Sequence, residues 1–205
     1  MRLATRIPDS ASGPLPQTQA ALDYATTVHR GQRRDDGAPF VEHLLDVAAL
    51  LYGVAAPDHL IAAGALHDVL EKTPATAFDL RRRFGSTIAS LVLAVTEDER
   101  IDGYNERKRA LRRKVAAAGD EALILFAADK VSKARELHAQ PVPSWGRARR
   151  SRLRRLAHYE RCLALLQERL PDSPLVLQLR IELARLPRRP SLSLIFGRRA
   201  EQAQL

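Results

Sequence analysis

There is one cysteine in 205 residues, Cys162, so no intramolecular disulfide can staple the chain. Its setting between Tyr159 and Leu166 reads as helix interior, which fits a reducing cytoplasm. Long hydrophobic runs are also missing. The longest, Ile88 to Val95 with Ser90 inside it, is far too short to span a bilayer, and Met1 to Pro16 lacks the apolar core of a signal peptide. Aromatic residues make up only 5% of the chain, and with abundant Ala and Leu this favours helix packing over a β-sandwich. No internal repeat and no glycine-rich phosphate loop is present. The expectation is a mostly α, cytoplasmic protein with no membrane partner.

What is present in excess is positive charge. The formal net charge of +9 suits an anionic partner such as a nucleotide, a nucleic acid or an acidic membrane surface. Much of it lies beyond residue 146, in Arg147, Arg149, Arg150, Arg152, Arg154 and Arg155 and again in Arg188, Arg189, Arg198 and Arg199. A run of this kind reads as a solvated helix face, which argues against a dedicated nucleic-acid role.

The chain is long enough for one well-buried core. Residues 1–16, with three prolines, read as a flexible leader, 17–186 as one helical domain with C-terminal helices from about residue 144, and 187–205 as a mobile tail. Ala21, Tyr24, Ala25 and Val28 recur at helical spacing and stop at Gly31. A polar loop to Phe40 leads into a helix packing through Val41, Leu44, Leu45, Val47, Ala48 and Leu51, with His43 in its first turn. Pro57-Asp58 starts an apolar helix from Leu60 to Leu70 that ends just after Glu71. Thr76 to Asp79 resembles a capping box for a short helix stopped by Gly85, and Ser86 to Val95 follow as a core helix. Thr96 to Gly103 read as a loop near a site mouth, Tyr104 to Ala118 as a charged helix stopped by Gly119, and Glu121 to Lys130 as an apolar helix delivering Asp129. Beyond Pro141 and Pro143, Trp145 to Leu170 form a long helix with Leu153, Leu156, Leu163 and Leu166 as its apolar stripe and Trp145 and Tyr159 as packing residues; Pro174 to Leu186 form the last helix.

The chemistry concentrates in His67-Asp68-Val69-Leu70-Glu71-Lys72, where an apolar run turns polar. On one helix His67, Asp68 and Glu71 can converge on a point. A helix that has merely reached solvent would look the same. Asp129, however, also ends an apolar run, where a carboxylate is costly to bury unless it is paired or on a metal. With His43 these residues make two imidazoles and two carboxylates, a set suited to Mn²⁺, Fe²⁺ or Zn²⁺; without a Cys ligand a structural zinc site is disfavoured.

The order of these motifs resembles the HD-domain phosphohydrolases, and among them the hydrolase domain of RelA/SpoT-type proteins and the small alarmone hydrolases. The resemblance runs from about residue 18 to 140, through His29 to His43 with Gly31-Gln32 and Arg34 to Phe40, His67-Asp68 with Glu71 and Thr73, Phe84-Gly85, Val95-Thr96 and Ala128-Asp129-Lys130. It implies an all-α HD-domain helical bundle with extra C-terminal helices, and one Mn²⁺-like ion held by His43, His67, Asp68 and Asp129. It implies further that Arg34 contacts substrate phosphates, that Glu71 orients a water or shuttles its proton, and that the 3′-pyrophosphate is removed from (p)ppGpp; beside these, Lys130 and Lys133 are read as substrate contacts and Lys72 as a catalytic cation. Three positions depart from that pattern: Lys72 stands where relatives have a second acid, Lys133 where they have an Asn, and Leu153 near an aromatic of the nucleoside pocket. The alternatives are therefore another phosphorylated nucleotide (an adenine alarmone or NADPH) or a catalytically weakened nucleotide-binding sensor.

Overall fold

The computed structural model describes residues 15–187. The leader and tail expected over 1–16 and 187–205 lie outside them, except that Pro16 opens the first helix and Pro187 follows the last. The described residues are all-helical, with no strand beyond an isolated bridge between Arg33 and Pro39. Nine helices run in order: α1 (Pro16–Val28), α2 (Val41–Gly53), α3 (Asp58–Leu66), α4 (Val69–Lys72), α5 (Ala77–Val95), α6 (Tyr104–Ala118), α7 (Asp120–Ala139), α8 (Gly146–Arg169) and α9 (Pro174–Arg185). The chain divides into two compact units that part between Asp129 and Lys130, within α7.

The first unit is arranged around α3. Every residue from Leu60 to Leu66 is buried, the mark of a helix surrounded on all sides, and α1, α2 and α5 pack against it. Small residues make this possible. A Cβ on Gly64 would stand 2.5 Å from Leu51 Cδ1, 3.3 Å from Val47 Cγ1 and 3.8 Å from Leu125 Cδ1, so the missing side chain is what lets α2 and α7 close on α3 at this level. Asp58, the first residue of α3, also caps a neighbour: its carboxylate accepts from the N–H groups of Gln17 and Thr18 at 3.0 and 2.9 Å, and from Thr18 Oγ1 at 2.6 Å. It thereby serves the open N-terminus of α1, where Leu15 offers no side-chain cap.

The apolar helix expected to run unbroken from Leu60 past His67 is interrupted. α3 stops at Leu66, Asp68 takes φ −95°, ψ 0°, and α4 restarts as a single turn. That conformation lies in the sparsely populated bridge region, a place where site residues gather. Thr76 caps α5 as expected, with Asp79 N–H donating to Thr76 Oγ1 and Thr76 N–H to Asp79 Oδ2. Gly85, at φ 84°, ψ 171°, breaks α5 where the sequence placed a stop, a conformation open to glycine at little cost.

In the second unit α8 packs on α9, and Arg135 and His138 of α7 reach Glu182 of α9 at 3.3 Å each. The stripe on α8 differs from the expected one. Tyr159, Cys162 and Leu166 are buried while Leu153 is 44% exposed, because the leucine spacing alone leaves out Tyr159 and Cys162 and so rotates the face. Trp145, expected to pack, is 82% exposed just before the helix begins. No described helix is long and apolar enough to cross a membrane.

The crossing at Gly64 yields a direct test. Gly64→Ala forces Leu51 aside in a filled core and should lower unfolding free energy by about 1–3 kcal/mol in urea titration. Gly53→Ala, at the end of α2 with nothing within 4 Å of the added carbon, should be neutral or stabilising. Equal effects at the two positions would refute the close approach.

Candidate metal centre

Three helices that meet at Gly64 each carry one donor about a turn away from the meeting point. His67 lies three residues beyond Gly64, His43 four before Val47 on α2, and Asp129 four beyond Leu125 on α7. The result is a tight cluster. His43 Nε2 is 3.2 Å from His67 Nε2, and each of these nitrogens is 3.4 Å from Asp129 Oδ1. Asp68 flanks them, with Oδ1 3.3 Å from His67 Nε2 and Oδ2 3.9 Å from His43 Nε2. All four residues are buried, none more than 5% exposed.

These atoms fit a cation. Donors about 2.1 Å from a common centre stand about 3.0 Å apart on an octahedron and about 3.4 Å apart on a tetrahedron, which brackets the spacings among His43, His67 and Asp129. The hydrogen bonding agrees. His67 Nδ1 donates to the carbonyl of Gly64 at 2.8 Å, which fixes the ring with Nε2 turned to the cluster. His43, His67, Asp68 and Asp129 can therefore hold a divalent cation, His43, His67 and Asp129 forming its compact face.

Glu71 lies on α4, one turn beyond the break at Asp68, and its Oε1 accepts from the backbone N–H of Glu97 at 2.6 Å. The carboxylate thus ties α4 to the loop after α5. Glu97 is in turn gripped by Arg107 Nε at 3.1 Å and by Lys108 Nζ, while Lys114 Nζ donates to the Thr96 carbonyl at 2.6 Å. Burial holds the Lys114 pKa below its ordinary value, partly offset by the carboxylates of Asp98 and Glu71. The basic face of α6 thus stands beside Glu71, an arrangement that the charged sequence of α6 did not single out.

The loop from His29 to Phe40 forms the other border. Gln32 Nε2 donates to the backbone carbonyl of Lys72 at 2.8 Å, so its Oε1 must accept from His29 Nδ1, 2.9 Å away. His29 is buried, and burial is the main cause holding its pKa below the usual imidazole value, partly offset by its hydrogen bond to Gln32. Its ring lies 4.9 Å from that of Phe40, and Phe40 lies 5.8 Å from His43. Lys72 is exposed, with Nζ 5.9 Å from the Phe40 centroid. His29 and Gln32 were quoted in the sequence for their order alone; a histidine in a loop gives no periodic signal of its role. Arg34 is held by Asp36, Nε at 3.2 Å and Nη2 at 2.8 Å. Lys130 is buried in α7 and Lys133 half-buried one turn on, both in the second unit.

Comparison with known proteins agrees with this geometry. The HD domain family model matches residues 21–155. The chain is 33% identical over 144 residues to the guanosine-3′,5′-bis(diphosphate) 3′-pyrophosphohydrolase MESH1 of Drosophila melanogaster, covering 68% of this chain and 80% of that protein. It is 31% identical over 137 residues to the human protein of the same name, covering 76% of it. A pyrophosphohydrolase of Aquifex aeolicus is 31% identical over 110 residues, although the chain spans only 16% of its length. Among solved structures, a metazoan ortholog of SpoT described as hydrolysing ppGpp matches with a TM-score of 0.74 at 27% identity, covering 87% of this chain and 99% of that one. With donors drawn from α2, the α3–α4 break and α7, and with a family model matched across all of them, the chain belongs to the HD-domain family.

Proposed function

We propose that this protein is a metal-dependent phosphohydrolase that removes the 3′-pyrophosphate from (p)ppGpp, leaving GDP or GTP. The observation that carries the reading is the convergence of His43 Nε2, His67 Nε2 and Asp129 Oδ1 within 3.4 Å of one another in a buried setting. The pyrophosphohydrolases it resembles supply the substrate. We assign the cation to His43, His67, Asp68 and Asp129, with Mn²⁺ as the ion and the cytoplasm as the compartment, the latter supported by a single buried cysteine, Cys162, with no second cysteine to pair with. When bound, such an ion supplies positive charge that polarises a phosphoryl oxygen and acidifies a water.

The chain's own residues supply the rest. Glu71, oriented by its bond to Glu97 N–H, takes a proton from a water whose oxygen forms a new bond to phosphorus as the bond to the ribose 3′-oxygen breaks, and returns that proton to the 3′-oxygen, which leaves as a hydroxyl. Arg34 binds substrate phosphates, which compete with Asp36 for its paired donors. Lys130 and Lys133 are assigned to substrate as well, and Lys72, exposed beside Phe40, adds a cation for phosphate where relatives carry an acid. That same replacement favours a second reading, a sensor that binds nucleotide with metal and does not turn it over.

Purified protein with Mn²⁺ and ppGpp should release pyrophosphate. His67→Ala or EDTA should reduce the rate by at least about a hundredfold. Metal-dependent binding without pyrophosphate release would instead identify the sensor, and neither binding nor release would sink both readings. Lys72→Ala should raise KM for ppGpp about tenfold with kcat little changed, as loss of one charge-assisted phosphate contact requires. An unchanged KM in steady-state assays would remove Lys72 from the substrate contacts.

A further inference from the structure

Arg152, on α8, is only 3% exposed. Its Nη1 donates to the carbonyl of Leu137 at 3.2 Å, one of the last four carbonyls of α7 that no later helical N–H can reach. That bond uses one side of the guanidinium. The opposite edge, Nε together with Nη2, is buried and has no hydrogen-bond partner among the described residues. A guanidinium does not deprotonate in a protein, so this is a permanent positive charge withdrawn from water with its better edge unsatisfied.

That edge has a characteristic use. Nε–H and Nη2–H are parallel donors that match two oxygens of one oxyanion. The first unit shows the same edge at work twice: Arg34 grips Asp36 at 3.2 and 2.8 Å, and Arg100 grips Asp98 at 2.9 and 2.9 Å, holding the Asp98 pKa down at about 2. Arg152 presents the edge, and among the described residues no carboxylate is bonded to it. A second guanidinium stands close by. Arg155, three residues on, donates from Nη2 to Gln140 Oε1 at 3.3 Å, and its charge adds to burial in lowering the Arg152 pKa. Two guanidiniums on one helix face suit the double charge of a phosphoryl group better than the single charge of a carboxylate.

We propose that the Nε–Nη2 edge of Arg152, with Arg155 beside it, is an anion site of the C-terminal unit that takes the phosphoryl group of a small phosphate compound. The inference stands on residues 137–155 alone and does not depend on the metal centre or its reaction. Two sources share this chemistry, free inorganic phosphate or pyrophosphate and the phosphate of a nucleotide.

The full-length protein carrying His67→Ala and treated with EDTA, so that no cation draws phosphate to the first unit, should be titrated with sodium phosphate, pyrophosphate and GMP. Calorimetry gives the affinity, and the ¹⁵Nε–¹Hε NMR signal of Arg152 reports the edge directly. Saturable binding below about 1 mM with a shift of that signal is expected. Binding of the inorganic ions assigns the site to free anions, and binding of GMP alone assigns it to nucleotides. Arg152→Lys, which keeps the charge and loses the fork, should weaken binding by at least about tenfold, and Arg152→Met should abolish it. An Arg152 signal that stays still while all three probes are added overturns the proposal even if the Met variant fails to fold, and so does unaltered affinity in Arg152→Lys.

Discussion

Three helices cross at one residue without a side chain, and the donor cluster depends on that crossing. With Gly64 bare, Leu51 and Val47 of α2 and Leu125 of α7 close on α3, and the next turn of each helix carries a donor inward. The α-helix fixes the rest, because residues three or four apart lie one above the other on a face. His43, His67 and Asp129 are far apart in sequence but occupy equivalent positions one turn from a shared contact. The carbonyl of Gly64 also accepts from His67 Nδ1, so the residue that sets the packing fixes the imidazole ring as well.

The crossing also explains why the site is buried. A helix as apolar as Leu60–Leu66 is surrounded for most of its length, so whatever follows it emerges inside the protein. Polar groups there need partners, and the break at Asp68 lets a carboxylate turn toward both imidazoles where a continued helix would have carried it past them. Glu71, beyond the break, is freed to join the loop after α5, which brings the basic face of α6 beside it. Acidic and basic sides of the site thus come from consecutive parts of the chain, hinged on one residue.

The sequence made much of this legible and hid the rest for physical reasons. Helix ends set by local chemistry could be read directly: Gly85 and Gly119 at their stops, Thr76 and Asp79 in a capping box. His67 and Asp129 stood out because a polar residue ending an apolar run is costly without a partner; His43, in the first turn of its helix, joined them through the family resemblance, and the structure gathers all three. The break at Asp68 gave no warning, because none of its neighbours disfavours helix and the bend answers to distant groups. Gly64 was invisible for a similar reason, a small residue among alanines whose value lies in what approaches it. On α8 the leucine count rotated the buried face because Tyr159 and Cys162 fill it equally well, and Trp145 sits outside the helix that was expected to bury it.

The bond from Gln32 to Lys72 reaches the main chain and passes over the side chain. Any amino acid at position 72 presents the same carbonyl, so the His29–Phe40 loop stays latched whichever residue stands there. The fold is therefore indifferent to the charge of the side chain at this position. Architecture and charge are decoupled at 72, which leaves it open to natural variation: the electrostatics at the edge of the site can be rewritten by one codon with the scaffold around His43 and His67 left in place.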